Sequence, residues 1–129
     1  MNKILVEVSV GELLDKISIL EIKSEKIKDP KKLNFINDEY KILKDQLKVN
    51  IKNYSEIESL YNSLKEINSK LWVIEDDKRL CEKNSDFGEK FIKLSRDVHF
   101  LNDERAKLKL EINNKTGSKI KEIKEYTKY

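Results

Sequence analysis

Residues 57–81 read IESLYNSLKEINSKLWVIEDDKRLC and contain neither glycine nor proline. Apolar side chains recur in this stretch at steps of three, four or seven residues: Ile57, Leu60, Leu64, Ile67, Leu71, Ile74 and Cys81. Lys78 is the one interruption of the series. Such a repeat lines one face of an α-helix, whereas a half-buried strand would alternate at every second residue. The stretch therefore predicts one long amphipathic helix with a heptad-like seam.

A second helix of similar length is predicted after it. Its apolar series consists of Phe87, Phe91, Leu94, Val98, Leu101, Leu108 and Ile112, with Arg105 filling the one gap. Asp86-Phe87-Gly88-Glu89 has the form of a capping box at its start, and Gly117 is a suitable C-cap at its end. Two helices of about 29 residues, or about 43 Å, with a short connection predict an antiparallel hairpin over residues 55–114.

Residues 9–52 predict another hairpin with shorter helices of about 20 residues each. Ser9-Val10-Gly11-Glu12 forms a capping box before the first of them, and Asp29-Pro30 separates it from the second. A further capping box, Ser55-Glu56-Ile57-Glu58, precedes the helix over residues 57–81. These signals predict where each helix begins.

The helix after Pro30 carries two apolar lines. One line points to the core of the hairpin and includes Leu33, Ile36, Tyr40, Leu43 and Leu47. The other has one large apolar residue every seven positions, namely Phe35, Ile42 and Val49. Two lines on one helix usually mean two packing partners. We therefore predict that Phe35, Ile42 and Val49 form a self-association surface.

Together these patterns predict one all-α domain over residues 1–129. Its two long antiparallel helical hairpins are expected to form a four-helix bundle or a coiled-coil-like assembly. Residues 1–8 are either a short N-terminal β-strand or an extended lead-in, and residues 118–129 form a polar tail. The tail carries many lysines and is a candidate for a frayed helix.

Composition excludes several classes of function. The 27 basic and 24 acidic residues are mixed along the chain, and a net charge of +3 makes nucleic acid an unlikely partner. The single cysteine, Cys81, excludes an intrachain disulfide. No secretion signal or membrane-spanning run is evident, so we expect a cytoplasmic protein, in a bacterium or in the host cell of a virus.

Signatures of catalysis and cofactor binding are also incomplete. The sequence has no Gly-rich phosphate loop, no Cys-x-x-Cys and no Glu-x-x-His pair of the kind used in di-iron bundles. We therefore predict no cofactor and no metal site.

One polar cluster is a candidate site for an anionic small molecule. All three arginines lie in the second hairpin, together with the only Trp and the only His. Among so many lysines, an arginine suggests a need for a planar, bidentate donor. Arg105 lies on the apolar seam and therefore requires a carboxylate or an anionic ligand, and Glu66 is the carboxylate expected nearest to it. The candidate ligand-binding residues are Lys16, Lys23, Trp72, Glu75, Asp76, Arg79, Arg96, Asp103 and Arg105. The same residues could instead form interhelical salt bridges.

Two stretches also carry a family resemblance. Residues 9–23 read SVGELLDKISILEIK, and a second motif extends from Leu71-Trp72-Val73-Ile74-Glu75-Asp76 to Asn102-Asp103-Glu104-Arg105. Both resemble an uncharacterised family of short helical proteins found in bacteria and some viruses. The resemblance implies no activity, but members often lie beside genes for surface-polysaccharide or glycan assembly. Lys78 and His99 depart from the family pattern, which has an apolar and an aromatic residue there.

Two hypotheses of function follow. The first is a non-enzymatic helical interaction or accessory protein that forms a homodimer, binds a protein partner and is linked to glycan assembly. The second is a binding protein or enzyme for a phosphorylated or sugar-nucleotide molecule, with the arginine, tryptophan and carboxylate cluster as its site. The incomplete catalytic signatures favour the first.

Overall fold

The computed structural model describes residues 2–129 and contains four α-helices. They are α1 (Val10–Lys26), α2 (Pro30–Asn50), α3 (Glu58–Lys83) and α4 (Glu89–Thr116). One 3₁₀ turn, Tyr54–Glu56, lies between α2 and α3. The helices pack against one another as a bundle, which confirms the predicted all-α fold class. No helix within residues 2–129 is long and apolar enough to cross a membrane.

The lead-in to α1 is extended and does not form a strand. Residues 2–8 have no strand assignment, and neither has any other part of the described chain. A strand needs a neighbour to accept and donate its backbone hydrogen bonds, and none is present over residues 2–129. Of the two alternatives for this segment, the structure therefore has the extended lead-in; Met1 lies outside the described residues.

The predicted helix starts are correct for the first hairpin. The Ser9 hydroxyl accepts a hydrogen bond from the Glu12 backbone N–H at 3.0 Å, as an N-cap does. Pro30 occupies the first turn of α2, and the Asp29 carboxylate accepts from the Lys31 N–H at 3.1 Å. These local caps depend on neighbouring residues alone, so the sequence predicts them well.

The two capping boxes predicted for the second hairpin are wrong. Ser55 lies in the 3₁₀ turn, and Ile57, without a side-chain capping bond, stands at the start of α3. The Asp86 carboxylate accepts from the Gly88 N–H at 3.3 Å, which closes a tight turn and delays α4 until Glu89. At Asp86 a turn thus uses the carboxylate that was predicted to cap α4, whereas at Ser55 the 3₁₀ turn shifts the start of α3 past the predicted cap. At the other end of α4, Gly117 has a φ of 66° and ends the helix as predicted.

Helix α1 lies at the centre of the bundle. It contacts all three other helices, whereas α2 contacts α1 alone among the helices of the described chain. Buried apolar residues cover more than one side of α1, which explains this position: Leu13, Leu14, Ile17, Leu20 and Ile22. The main core joins three of them, Leu13, Leu14 and Ile17, to residues of the other three helices and to Ile57, which precedes α3: Leu47, Tyr61, Leu64 and Ile112.

Helix α1 crosses the α3/α4 hairpin diagonally. Its first turn bonds to Asn113 and Lys109 near the end of α4. Further along, its side chains bond to Asn68 and Lys65 of α3. None of the hydrogen bonds of α1 within residues 2–129 reaches the outer part of the hairpin, around Cys81 and Phe87.

Apolar side chains are exposed in the lead-in, where Ile4, Leu5 and Val6 are 86%, 82% and 74% exposed, in the tail, and on two helical surfaces. Phe35, Ile42 and Val49 on α2 are 71%, 57% and 73% exposed. On the outer part of the hairpin, Val73, Leu80, Phe87 and Ile92 are also about half exposed.

The tail after Gly117 has no helix, so the frayed helix considered for residues 118–129 is not found.

Candidate functional site

A buried ion pair connects the centre of α1 to α4. Arg105 donates a hydrogen bond from Nε to Oδ1 of Asp15 at 2.9 Å and a second one from its terminal nitrogen to Oδ2. Asp15 is only 1% exposed. A bidentate pair of this kind fixes the relative direction of both side chains. The seam position of Arg105 is thus satisfied by a carboxylate, as predicted, although the partner is Asp15 and not Glu66.

Helix α3 completes the surroundings of this carboxylate. The Asn68 amide donates to Oδ1 of Asp15 at 2.8 Å and lies 2.8 Å from the Ser18 hydroxyl. Ser18 in turn donates to the Asp15 backbone carbonyl at 2.8 Å. Asn68 and Ser18 are both buried. Three helices therefore meet at one carboxyl group, and each contributes polar atoms to it.

Lys109 extends the network by one helical turn. Its ammonium group lies 2.7 Å from a carboxylate oxygen of Glu12, 3.0 Å from one of Glu122 and 3.9 Å from Oδ2 of Asp15. Glu12 belongs to α1, whereas Glu122 belongs to the tail. The tail is therefore attached to the same charged group as the first turn of α1.

A close backbone approach holds α1 and α4 together beside this network. The Gly11 N–H donates to Oδ1 of Asn113 at 2.7 Å. A Cβ atom on Gly11 would lie 2.5 Å from the Lys109 carbonyl oxygen, a distance that side chains do not reach. Only glycine allows this contact. It sets the spacing at which Arg105 and Lys109 meet the acids of α1.

The positions of these groups follow from helical periodicity. On α1, Glu12, Asp15 and Ser18 are three residues apart. On α4, Arg105, Lys109 and Asn113 are four residues apart. Both spacings place side chains on one face of a helix. These two polar stripes, together with Asn68 of α3, form the network that we call the Asp15 network (Glu12, Asp15, Ser18, Asn68, Arg105, Lys109).

The surroundings of Asp15, Arg105 and Lys109 favour the charged form of each of these three groups. Burial by itself would raise the pKa of Asp15, but hydrogen bonds from Arg105 and Asn68 and the positive charges of Arg105 and Lys109 outweigh it, so this pKa is lowered. Burial would lower the pKa of Lys109, but the carboxylates of Glu12, Glu122 and Asp15 raise it. Asp15 and Arg105 thus stabilise the charged form of each other.

The network has no reactive group without a partner. Within residues 2–129, the one buried side-chain polar atom that lacks a hydrogen bond is the Tyr61 hydroxyl, which lies outside the network in the core. No group of three or more potential metal ligands is found among the described residues. The arrangement is suited to holding three helices in register.

Apart from Arg105, the residues of the predicted anion site do not belong to the Asp15 network. Lys16, Glu75, Asp76, Arg79 and Arg96 are exposed, and Lys23, Trp72 and Asp103 are partly exposed. Arg96 lies over the ring of Phe100, at 5.9 Å from its centroid. It precedes Arg105 by nine residues, which places it about half a turn away around α4. The structure therefore does not bring these two arginines together.

The expected partner of Arg105 is engaged elsewhere. Glu66 lies 3.6 Å from Lys70 on the surface of α3. Asp103 accepts a hydrogen bond from the Tyr129 hydroxyl, and the Tyr129 ring packs on His99 and Phe100 with centroids 5.4 and 5.3 Å away. One residue of the predicted site, Asp103, thus helps to hold the tail against α4.

Sequence reasoning missed most of the Asp15 network. Asp15 was noted only as part of the family motif, and Ser18, Asn68 and Lys109 were not predicted to be site residues. A local signal exists on α1, where Asp15 and Ser18 interrupt a helix that is apolar on several sides. Polar residues on a buried face require partners. No pattern within α3 or α4 reveals which residues provide them.

Comparison with known proteins completes this description. Neither the curated proteins nor the solved structures contain a match to the chain. Residues 4–129, almost the whole chain, match the family described as "Family of unknown function (DUF6165)". The chain belongs to this family, in agreement with the resemblance seen in its motifs.

Proposed function

We propose that the protein is a non-enzymatic helical interaction protein that self-associates through the exposed stripe of α2. The stripe consists of Phe35, Ile42 and Val49, and its exposure of 57% or more at each residue is the observation that carries the proposal. Large apolar side chains in a regular row on a surface are typical of a contact with another molecule. A cytoplasmic location and an accessory role in glycan assembly are parts of the same proposal, and both stay predictions.

Helical geometry supports a single binding face. A spacing of seven residues is close to two full turns, so the three side chains lie almost in one line. The opposite side of α2 uses Ile36 and Leu47, both buried, for its contact with α1. Since α2 contacts no other helix of the described chain, its outer side is free to meet a second copy.

The Asp15 network supports the non-enzymatic part of the proposal. Its acids are neutralised by Arg105 and Lys109, and its polar atoms are hydrogen-bonded to one another. Catalytic sites, in contrast, keep a group with a perturbed pKa accessible to the substrate. Such a network stabilises a scaffold that presents a binding surface.

Sedimentation equilibrium of the wild type and of Ile42→Asp tests the proposal. We expect the wild type to form dimers and the variant to be monomeric, because a charge in the centre of an apolar contact is costly to bury. Asn37→Asp is the matched control, since it adds the same side chain at an exposed position about 140° around α2 from Ile42. A wild type that stays monomeric, or an Ile42→Asp variant that dimerises like the wild type, would contradict the proposal.

A further inference from the structure

The lead-in to α1 carries a run of exposed apolar side chains. Residues 3–8 read KILVEV and contain neither glycine nor proline. Ile4, Leu5 and Val6 each keep most of their surface exposed in the single chain. A short run of aliphatic and β-branched residues of this kind is typical of a β-strand.

The backbone of the lead-in is also without partners. Within residues 2–129, no backbone hydrogen bond joins residues 2–8 to another part of the chain. An extended segment in this state presents a row of N–H and C=O groups with which a second strand can pair. Both the side chains and the backbone of the lead-in are therefore available to another strand.

Side chains of a strand alternate between two faces, and the two faces of the lead-in differ. One face carries Lys3, Leu5 and Glu7, so that a positive and a negative charge lie at equal distances from Leu5. The other face is wholly apolar from residue 4 to residue 8. Lys3 and Glu7 are both exposed. This symmetry determines which partner the segment fits.

The partner that matches these charges is the same segment of a second copy. In an antiparallel pair centred on Leu5, Lys3 of each copy lies directly opposite Glu7 of the other. Ile4 of each copy then lies opposite Val6, and the two Leu5 side chains face each other. Cross-strand pairs of opposite charge and of aliphatic side chains both stabilise a sheet. The lead-in is thus complementary to itself.

Other registers lose this match. A pair centred on Ile4 places Leu5 opposite Lys3, and a pair centred on Val6 places Leu5 opposite Glu7. A centre between two residues brings the apolar face of one strand to the polar face of the other. A parallel pair in register puts like charges side by side, which is unfavourable. The charges therefore select one antiparallel register.

The lead-in begins near one end of the α2 stripe. Val10 and Leu13 at the start of α1 pack in the main core with Leu47 of α2. Leu47 precedes Val49, the last residue of the stripe, by two positions. A two-stranded ribbon by itself is only marginally stable in water. A dimer held by the stripe would raise the effective concentration of the two lead-ins.

The lead-in is long enough to reach its counterpart in such a dimer. When two antiparallel stripes meet with their Ile42 residues at the centre, the two Val49 residues lie about 21 Å apart along the helices. Each extended lead-in covers about 13 Å from Ser9 to Leu5. Two lead-ins that point towards each other therefore span about 26 Å and can meet at Leu5.

We infer that residues 3–7 form an antiparallel β-ribbon with the same residues of a second copy of the chain. This pairing rests on the proposed function, because the α2 contact supplies the dimer in which the strands meet, and it adds a second contact to that dimer. The strand is absent from the single chain because its neighbour belongs to the other copy.

Reversal of the two charges tests the register. In a dimer of Lys3→Glu, two carboxylates face each other at both ends of the ribbon, and in a dimer of Glu7→Lys two ammonium groups do so. We expect each variant to dimerise about tenfold more weakly than the wild type in sedimentation equilibrium, because two attractive pairs become repulsive.

The double variant Lys3→Glu/Glu7→Lys is the matched control. It restores opposite charges at both ends of the ribbon and has the net charge of the wild type, so we expect it to dimerise like the wild type. An equimolar mixture of the two single variants should also regain the affinity of the wild type, since each charge again faces its opposite. All these positions are exposed and precede α1, and far-UV circular dichroism checks that the helices are kept.

Cysteine cross-linking tests the centre of the ribbon. Leu5→Cys places two thiols directly opposite each other, within reach of a disulfide. Asn2→Cys is the control, because in this register its two thiols lie about 20 Å apart. The native Cys81 is buried. With a mild oxidant, we expect Leu5→Cys to form covalent dimers at least about tenfold faster than Asn2→Cys on a non-reducing gel.

The outcomes separate the ribbon from the α2 contact. A monomeric wild type overturns both proposals. A dimer that Ile42→Asp disrupts, but that Lys3→Glu and Glu7→Lys leave at full affinity, overturns the ribbon and leaves self-association through α2 in place. Equal cross-linking of Leu5→Cys and Asn2→Cys, or a double variant as weak as the single ones, also overturns the ribbon. Restored affinity in the double variant and in the mixture supports it.

Discussion

Arg105 of α4 and Asp15 of α1 form a bidentate ion pair, with Arg105 Nε 2.9 Å from Asp15 Oδ1, although 90 residues separate them in the chain. The carboxylate is buried, and Asn68 of α3 bonds to the same oxygen. Breaking such a pair leaves a charge without its partner, which costs more than the pair contributes when it is intact. The pair is thus a point on which the register of three helices depends.

Asp15→Asn is predicted to destabilise the fold by about 3 kcal/mol, because Arg105 loses the opposite charge in a mostly buried place. Urea denaturation followed by circular dichroism at pH 7 measures the effect. Asp38→Asn, which removes a charge from the exposed face of α2, is the control and should change the free energy of unfolding by less than about 0.5 kcal/mol. Equal free energies of unfolding for the two variants would show that the ion pair contributes nothing to the stability of the fold.

Acid should weaken the fold through the same carboxyl group. The pKa of Asp15 is lowered in the folded protein from its ordinary value of 3.8. Its stabilisation is therefore present in full above that value and is lost as the pH falls below it towards the folded pKa. We expect the free energy of unfolding of the wild type to fall more steeply below about pH 4 than that of Asp15→Asn. Parallel profiles of the two proteins between pH 2 and 7 would contradict this assignment.

Gly11→Ala is predicted to destabilise the fold by about 2 kcal/mol, as overpacking does. Local propensity alone predicts the opposite sign, since alanine favours a helix over glycine by about 1 kcal/mol. The new Cβ would lie 2.5 Å from the Lys109 carbonyl oxygen. Because this oxygen belongs to the backbone of α4, it cannot move aside as the end of a side chain could, and we therefore expect the substitution to destabilise the fold.

Gly88→Ala is the control for Gly11→Ala. A Cβ at Gly88 meets only the Asp86 carboxylate, at 3.6 Å, so the loss should stay below about 1 kcal/mol. Thermal denaturation of both variants measures the difference. If the Gly11→Ala protein were as stable as the Gly88→Ala protein, α1 and α4 would have to be further apart than the structure places them.

Tyr129→Ala is predicted to release the tail from α4. The ring contacts with His99 and Phe100 and the hydrogen bond to Asp103 are lost together. Trypsin should then cleave faster after Lys119, Lys121 and Lys124, which mass spectrometry measures over time. Tyr126→Ala removes another exposed ring from the same tail, one that has no ring contact or side-chain hydrogen bond within residues 2–129, and should leave the cleavage rates as in the wild type. Equal rates in both variants would show that Tyr129 does not hold the tail.

The helices themselves were predictable because each pattern lies within one element. The apolar series at Ile57, Leu64 and Leu71 follows the period of a helix, and all three residues are buried in the structure. The first turn of α1, capped by Ser9, was predictable for the same reason. The capping boxes at Ser55 and Asp86 were not, since a turn can use the same side chain and only the path of the chain decides between them.

For this chain, the sequence by itself determined the all-α class, the approximate bounds of the helices, the two apolar lines of α2 and the need of Arg105 for an opposite charge. Tertiary structure alone decided that Asp15 and not Glu66 meets that need, that Arg96 lies on another face of α4, and that α2 packs only on α1. The physical reason is that periodicity fixes which side of a helix is apolar. It does not fix the crossing angle or the distance between two helices, which depend here on the contact of Gly11 with α4.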